Sequence, residues 1–185
     1  TWVLGRASVQ AFNFANYWRH LPRKMHGIQH WETFFYPLDM VREWNRMYGK
    51  RGFTQYQCVL PDSVGRGAAR RVLEMLTERG GASFLCVIKD CGPENRGLLS
   101  FPMKGVSIAL DIAVRDDTQA LVDALNEKVI DEGGRIYLAK DQFTRREHFE
   151  EMEKRRLPAF IEARAKWDPK RRIRSAQSVR LLGDR

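Results

Sequence analysis

From Phe53 onward, hydrophobic and polar residues fall into two successive arrangements of the same kind. FTQYQCVLP alternates Thr54, Tyr56, Cys58 and Leu60 against Phe53, Gln55, Gln57 and Val59, which predicts a strand closed by Pro61. Behind a cap at Asp62 or Ser63, Val64, Ala68, Val72, Leu73 and Leu76 recur at helical spacing. They predict a helix to about Arg79 that ends at Gly80-Gly81. Ser83 to Lys89 is almost continuously apolar, as in a buried strand, and reaches a polar end at Lys89-Asp90. After the turn CGPENRG and a loop around Pro102, Ile108, Leu110 and Ile112 share one face of a strand over 106–114. A second helix starts at Asp116 or Asp117, runs through Leu121, Leu125 and Val129, and stops at Gly133-Gly134 before a fourth strand in RIYLAKD.

The order β-α-β, β-α-β is the split βαβ, ferredoxin-like pattern. It predicts an α+β fold: an antiparallel sheet covered on one face by two helices, with the other face free to meet a partner surface. The halves share topology without a sequence repeat. The flanks read differently. Residues 1–36 are rich in aromatics, among them Trp2, Phe12, Trp18, Trp31 and Tyr36, have no clean period, and are expected to wrap over something. Leu38, Val41 and Trp44 predict a short helix over 38–48 that Gly49 ends. Residues 144–185 read as helical pieces broken at Pro158 and Pro169, folding back on the sheet through Ala159, Ile161, Ala163 and Trp167. The expected organisation is a wrapping segment 1–52, a βαββαβ core 53–143 and a basic helical tail 144–185.

With 185 residues, 43% of them hydrophobic and 30% charged, the chain suits one compact domain or two very small ones. No apolar run approaches the roughly 20 residues of a membrane-spanning helix, so the sequence reads as soluble. It opens on Thr1 rather than Met, which fits either a longer polypeptide or a trimmed terminus. Three cysteines leave one over from any full pairing and fit a reducing compartment. The net charge of +9 is unevenly spread. Residues 1–60 hold 8 basic and 3 acidic side chains, 61–142 hold 11 and 13, and 143–185 hold 13 and 7. Such basic flanks suit nucleic acid, an anionic membrane surface or a phosphorylated ligand.

Several chemistries lack their motifs. There is no Gly-x-Ser-x-Gly elbow, no dinucleotide-binding glycine pattern and no phosphate-binding loop of the Walker type. His26 and His30 have the spacing of one helix face but no third ligand, so no metal is expected. What stands out is polar residues on predicted strands: Gln55 and Gln57 on one face of the first, Lys89 ending the second, Ser107 and Asp111 on the third, and Tyr137, Lys140 and Asp141 on the fourth. If buried, the glutamine pair needs hydrogen-bond partners that a ligand could supply; solvent-facing strand positions are the plain alternative.

The blocks FFYPLD (34–39), WNRMYGKRGFTQYQCVLP (44–61), FLCVIKDCG (84–92), LLSFPMKG (98–105), IALDI (108–112), GGRIYLAKD (133–141) and the closing WDP…RLL resemble the C-terminal part of FAD-linked sugar oxidases of the vanillyl-alcohol oxidase type. Within that family the likeness is to those acting on decaprenylphosphoryl ribose. The resemblance implies a substrate or cap domain of an FAD-dependent oxidoreductase, inactive without the N-terminal FAD-binding domain of the same polypeptide, which holds most of the cofactor. It implies oxidation of the C2′ hydroxyl of a polyprenyl-phosphoryl ribose to a keto sugar, a precursor step for cell-wall arabinan. A separate short-chain reductase completes the epimerisation. By the same likeness Lys140 and Gln57 are catalytic and, with Tyr137, lie against the flavin, while Lys89, Ser107, Ala109 and Gln55 bind substrate. Mycobacterial members carry Asn and Cys at the positions of Ser107 and Ala109, so that wall of the pocket differs here.

The implied location is the periphery of a bacterial membrane, facing cytoplasm or periplasm, with the Arg-rich stretch 164–174 as the contact. Two other readings stay open: an aldonolactone-type oxidase of a soluble sugar, and a stand-alone basic module binding RNA or another anion. Nucleic acid is disfavoured, because the central strands lack the aromatic cluster on which RNA-binding sheets stack bases.

Overall fold

The computed structural model describes residues 5–19, 24, 26–36, 40–79, 83 and 85–184. At its centre is a four-stranded antiparallel sheet in the order β2-β3-β1-β4, with β1 at Phe53–Pro61, β2 at Cys86–Cys91, β3 at Gly105–Ala113 and β4 at Arg135–Ile136. That order is the split βαβ arrangement the alternating pattern predicts. The even-numbered residues Tyr56, Cys58 and Leu60 of β1 and Ile108, Leu110 and Ile112 of β3 form one buried cluster. Two helices supply its other half. In α3 (Arg66–Glu78) these are Ala68, Val72 and Leu76, and in α4 (Thr118–Asp131) Leu121, Val122, Leu125 and Val129. No helix among the described residues is long and apolar enough to cross a membrane.

The helices begin and end for local reasons. α3 starts later than the sequence suggests, because Asp62–Val64 forms a separate 3₁₀ turn and Gly65, at φ 69°, occupies the cap position. The Gly80-Gly81 stop lies outside the described residues. α4 ends as expected at Gly133, whose φ of 68° turns the chain so that the Gly134 N–H reaches the Val129 carbonyl.

Four expectations need correction. The aromatic N-terminal region, read as having no clean period, does contain helices, α1 (Arg6–Arg19) and α2 (Trp31–Phe35), and its described rings stay largely exposed. The helix expected over 38–48 is a 3₁₀ turn at Trp44–Tyr48, ended by Gly49; Glu43 just before it is left-handed at φ 53°. β2 begins at Cys86 and is largely exposed, because it is the sheet's edge and has a neighbour only on the β3 side. The fourth strand is two residues long: Tyr137 still donates its N–H to the Gln57 carbonyl at 2.7 Å, but Leu138–Lys140 then closes into a 3₁₀ turn.

The tail forms α5 (Arg146–Glu153), α6 (Leu157–Trp167) and α7 (Ala176–Leu182). Pro158 opens α6 instead of breaking a helix, as its missing N–H and fixed φ allow in a first turn. Of the side chains expected to pack, Ala159, Ile161 and Trp167 are exposed and Ala163 is half-buried, whereas Phe149, Leu157 and Leu181 are buried together against Leu99, Leu138, Phe160 and Leu182. This second core sits beside α4 and β4, and it props the turn that carries Lys140.

Two buried carboxylates hold elements together. Glu132 accepts two 2.7 Å hydrogen bonds from Arg71 and lies 3.1 Å from Lys128, which ties α3 to α4 and lowers its carboxyl pKa from 4.5 to about 2. Asp184 is clasped by Arg164, joining the chain's end to α6, and is lowered from 3.8 to about 2. Folded-state pKa values below the unfolded ones mean a stabilisation that is whole above pH 4.5 and drains as pH falls toward about 2. Glu153 opposes this, since burial raises its carboxyl. The urea midpoint should therefore fall between about pH 5 and pH 3, and Glu132→Gln should flatten that dependence. An unchanged slope in the variant would remove Glu132 from the account.

Candidate functional site

Odd-numbered side chains of β1 and β3 point away from α3 and α4, and the strand register assembles them. Gln57 stands opposite Ala109 and Gln55 opposite Asp111; across β3, Val87 pairs with Ala109 and Lys89 with Ser107. Period-two alternation thus puts Gln55, Gln57, Val87, Lys89, Ser107, Ala109 and Asp111 on the face away from α3 and α4, one end of which, at Phe53 and Ala113, packs against Val9 of α1 and the Trp44–Tyr48 turn. Lys140 joins them from the turn after β4. Gln55, Gln57, Lys89, Ala109, Asp111 and Lys140, with Leu85 and Val87, ring an open hollow of about 60 Å³.

Of the residues singled out from the sequence, the hollow gathers Gln55, Gln57, Lys89, Ala109 and Lys140. Ser107 lies just behind the rim, accepting a 3.0 Å hydrogen bond on its Oγ from Gln57 Nε2. Tyr137 does not line the hollow: its ring stacks on Phe101, centroids 4.7 Å apart. Asp111 was singled out as an odd polar strand residue but not as part of a site. It is 2% exposed, and both carboxylate oxygens are engaged, Oδ1 by Gln55 Nε2 at 3.0 Å and Oδ2 by Tyr48 Oη at 3.2 Å. Its own N–H donates to Ser83 Oγ at 2.9 Å. The signal for Asp111 was available: a carboxylate in the middle of IALDIA must find donors if the strand is buried. Tyr48 offered none, because nothing local links it to a residue 63 positions away.

The hollow has an electrostatic bias. Asp111 is its one acid among the described residues, and both its oxygens accept hydrogen bonds. Lys89 and Lys140 contribute two ammonium groups that make no ion pair or side-chain hydrogen bond. Gln57 lines the hollow with its amide nitrogen donating to Ser107, which leaves its carbonyl oxygen as an acceptor. Such a set attracts and holds negative charge; it has no free carboxylate to take up a proton.

Lys140 is positioned by the tail. Gln177 Nε2 donates to the Leu138 carbonyl at 2.6 Å, and Arg180 Nη2 to Asp141 Oδ2 at 2.8 Å, so α7 grips the turn on both sides of Lys140. A buried chain of hydrogen bonds runs from the sheet to the same place. Tyr56 Oη donates to Asn126 Oδ1 at 3.0 Å, Asn126 Nδ2 to Thr144 Oγ1 at 3.0 Å, and the Thr144 N–H to Asp141 Oδ1 at 2.9 Å. A buried network with each partner satisfied fixes geometry, here the distance between Gln57 on β1 and Lys140 beyond β4.

No protein-family model matches the chain. It is 37% identical over 142 residues to the decaprenylphosphoryl-beta-D-ribose oxidase of Mycolicibacterium smegmatis, a match that takes in 77% of this chain and 30% of that protein. It is 34% identical over 122 residues to an uncharacterized protein in the mprA 5′ region of Streptomyces coelicolor, covering 64% of this chain and 32% of that one. The chain thus spans less than two thirds of the length of each relative. Over most of its length it is homologous to part of a decaprenylphosphoryl-β-D-ribose oxidase, the likeness its sequence blocks carry.

Proposed function

We propose that this chain is the substrate-side part of an FAD-dependent oxidoreductase that oxidises a sugar hydroxyl, the C2′ hydroxyl of a polyprenyl-phosphoryl ribose, to a ketone. The observation that carries the reading is the convergence of two unpaired ammonium groups and two glutamines on the sheet face away from α3 and α4. Ligand pockets commonly enclose about 300 Å³ or more, so a hollow this small serves as one wall of a site whose other wall comes from the FAD-binding domain of the same polypeptide. The face fits a flavin in its donor set, being cationic and free of uncommitted carboxylates.

When bound, the flavin supplies the hydride acceptor. The Lys140 ammonium is placed to hold the negative charge that accumulates as the hydride leaves the sugar carbon, a role for which a fixed charge in a sheltered site is effective. Gln57 orients a sugar hydroxyl, whose O–H donates to its free amide oxygen. Lys89, near the open edge, holds the phosphate as a point charge. Gln55, Ser107 and Ala109 shape the sugar-facing wall, and Tyr137 with Phe101 flanks it. A short-chain reductase acting on the released keto sugar completes the sequence toward an arabinose precursor of the cell wall.

The test uses the full-length polypeptide that carries this chain. It should purify yellow, and anaerobic addition of a polyprenyl-phosphoryl ribose should bleach its flavin absorbance. A colourless protein overturns the flavin reading. Bleaching by soluble aldonolactones with none by the lipid-linked sugar overturns the substrate.

A further inference from the structure

Residues 92–104 join β2 to β3 without helix or strand, and 92–98 are exposed. Inside this loop the Ser100 N–H reaches the Gly97 carbonyl at 3.0 Å, and Ser100 Oγ accepts the Asn95 N–H at 3.2 Å. Those bonds close a turn, and a pair of arginines ties the turn to the rest of the fold. Arg135 of β4 donates through Nη1 to Glu94 Oε1 at 2.9 Å and to the Ser100 carbonyl at 2.8 Å. Arg156, between α5 and α6, donates through its own Nη1 to the same two oxygens, at 2.7 Å to the Ser100 carbonyl.

Two guanidinium groups meeting on one carboxylate repel each other, and a second carboxylate offsets this. Glu153, buried on α5, accepts from Arg156 Nε at 2.8 Å and from Nη2 at 2.7 Å, a fork that leaves Nη1 for the loop. Two positive and two negative groups thus close a neutral cluster to which β4, the tail and the loop all contribute, the kind of satisfied network that fixes geometry. Glu94 is its outer member, with a side chain 43% exposed, so a substitution there disturbs the cluster without opening the core.

The group this clasp places lies one residue on. Phe101 follows Ser100, and its ring stacks on Tyr137 with centroids 4.7 Å apart and planes at 36°. The Tyr137 carbonyl in turn accepts the Lys140 N–H at 3.0 Å, so the stack stands at the root of the turn that presents Lys140. We propose that Glu94 and Arg156 are positioning residues: by clasping the loop at Ser100 they hold Phe101 against Tyr137, and with it the turn that carries Lys140 in register with the hollow. Neither residue lines the hollow itself. The effect on chemistry rests on reading that hollow as the flavin-facing wall.

The first measurement needs no flavin and uses the present chain with isotope-labelled tyrosine rings, where the Tyr137 resonance carries the ring current of Phe101. Tyr137→Phe assigns that resonance, and Phe101→Leu marks where it goes when the stack is lost. Glu94→Ala should move it most of the way to the Phe101→Leu position, while the resonance of the buried Tyr56 stays. Arg156→Met with Glu153→Gln, which removes one charge of each sign, should move it in the same direction. A Tyr137 signal that Glu94→Ala leaves in place overturns the proposal. So does one that moves only together with Tyr56, since the cluster would then serve the core. The second measurement uses the flavin-bearing polypeptide. There Glu94→Ala should slow flavin reduction at saturating sugar by about tenfold with half-saturation unchanged, and Glu94→Asp should recover part of the loss. An unchanged rate beside a shifted Tyr137 resonance overturns the positioning role. A colourless polypeptide overturns the flavin reading instead, and the Tyr137 resonance still decides whether the clasp holds Phe101.

Discussion

Replacing Lys140 with alanine in the flavin-bearing polypeptide is expected to slow sugar oxidation by about 100-fold or more, a loss of the size seen when one preorganised charge-stabilising donor is removed. The expectation rests on two features of the turn. The ammonium is uncompensated, so its whole field acts on whatever occupies the hollow. Its backbone is gripped by Gln177 and Arg180, so no reorganisation is needed when charge develops. Lys140 adds nothing to the fold through its side-chain contacts, and the melting temperature should not move. The loss should appear in the rate of flavin reduction at saturating sugar more than in substrate affinity, because the interaction strengthens as charge accumulates. Lys140→Arg should recover part of the rate. A variant that bleaches at the original rate, or one that loses affinity alone, would reassign Lys140 to substrate binding or to the surface. Gln177→Ala provides the companion measurement: it loosens the turn without touching the hollow, and should cost less than Lys140→Ala.

The parts of this fold that can be read from residue order are those where periodicity and burial coincide. β1 alternates because one face meets α3 and α4 while the other is half-open, and the glutamines on that open face mark it as a candidate surface. β2 reads as buried because LCVI is apolar, yet it is the edge of the sheet, where Ile88 stays 57% exposed; an apolar run records composition, not position in the strand order. The fourth strand reads too long because RIYLAKD has strand-like residues throughout. What ends it is tertiary: Asp141 is drawn to the Thr144 N–H and to Arg180, a residue 39 positions away. The packing of the tail is illegible for the same reason, since Phe149, Leu157 and Leu181 become neighbours only after three helices have turned back on one another. In the site, Gln55, Gln57 and Lys89 are suggested by their oddness on strands. Lys140 is suggested in the same way, but its role comes from the family resemblance, because a lysine in a predicted strand end is ordinarily a surface charge. Asp111 and Tyr48 show the limit: their pairing supports Gln55 from beneath, and only the folded register reveals it.

Gly105→Ala should be the most damaging single substitution to the scaffold of this site, lowering stability by about 3 kcal/mol or more, at the upper end of point-mutation effects. Gly105 opens β3 and is paired on both sides, with Pro61 of β1 and Cys91 of β2. Its φ is 154°, and a Cβ built there would stand 2.0 Å from the Leu60 carbonyl oxygen and 2.9 Å from the Asp62 nitrogen. Both obstacles are backbone, so neither can rotate aside, and relief requires β1 and β3 to part where Asp62 N–H meets the Lys104 carbonyl. For a chain of this size each kcal/mol moves the midpoint by about 2–4 °C, so thermal unfolding followed by circular dichroism should shift by about 6 °C or more. Gly92→Ala serves as the control, since a Cβ there meets nothing within 4 Å and should leave the midpoint nearly in place. A Gly105 variant that melts with the parent would mean the strand ends yield more cheaply than their hydrogen bonds suggest. The consequence reaches function through register. Ser107, Ala109 and Asp111 are counted along β3 from Gly105, and Lys89 faces Ser107 across the next ladder. Parting the strands at this end therefore separates Gln57 from Ser107 and Lys89 from both. In the full-length polypeptide the same variant should lose sugar-dependent bleaching in proportion to its unfolding, unlike Lys140→Ala, which should lose it with the fold intact.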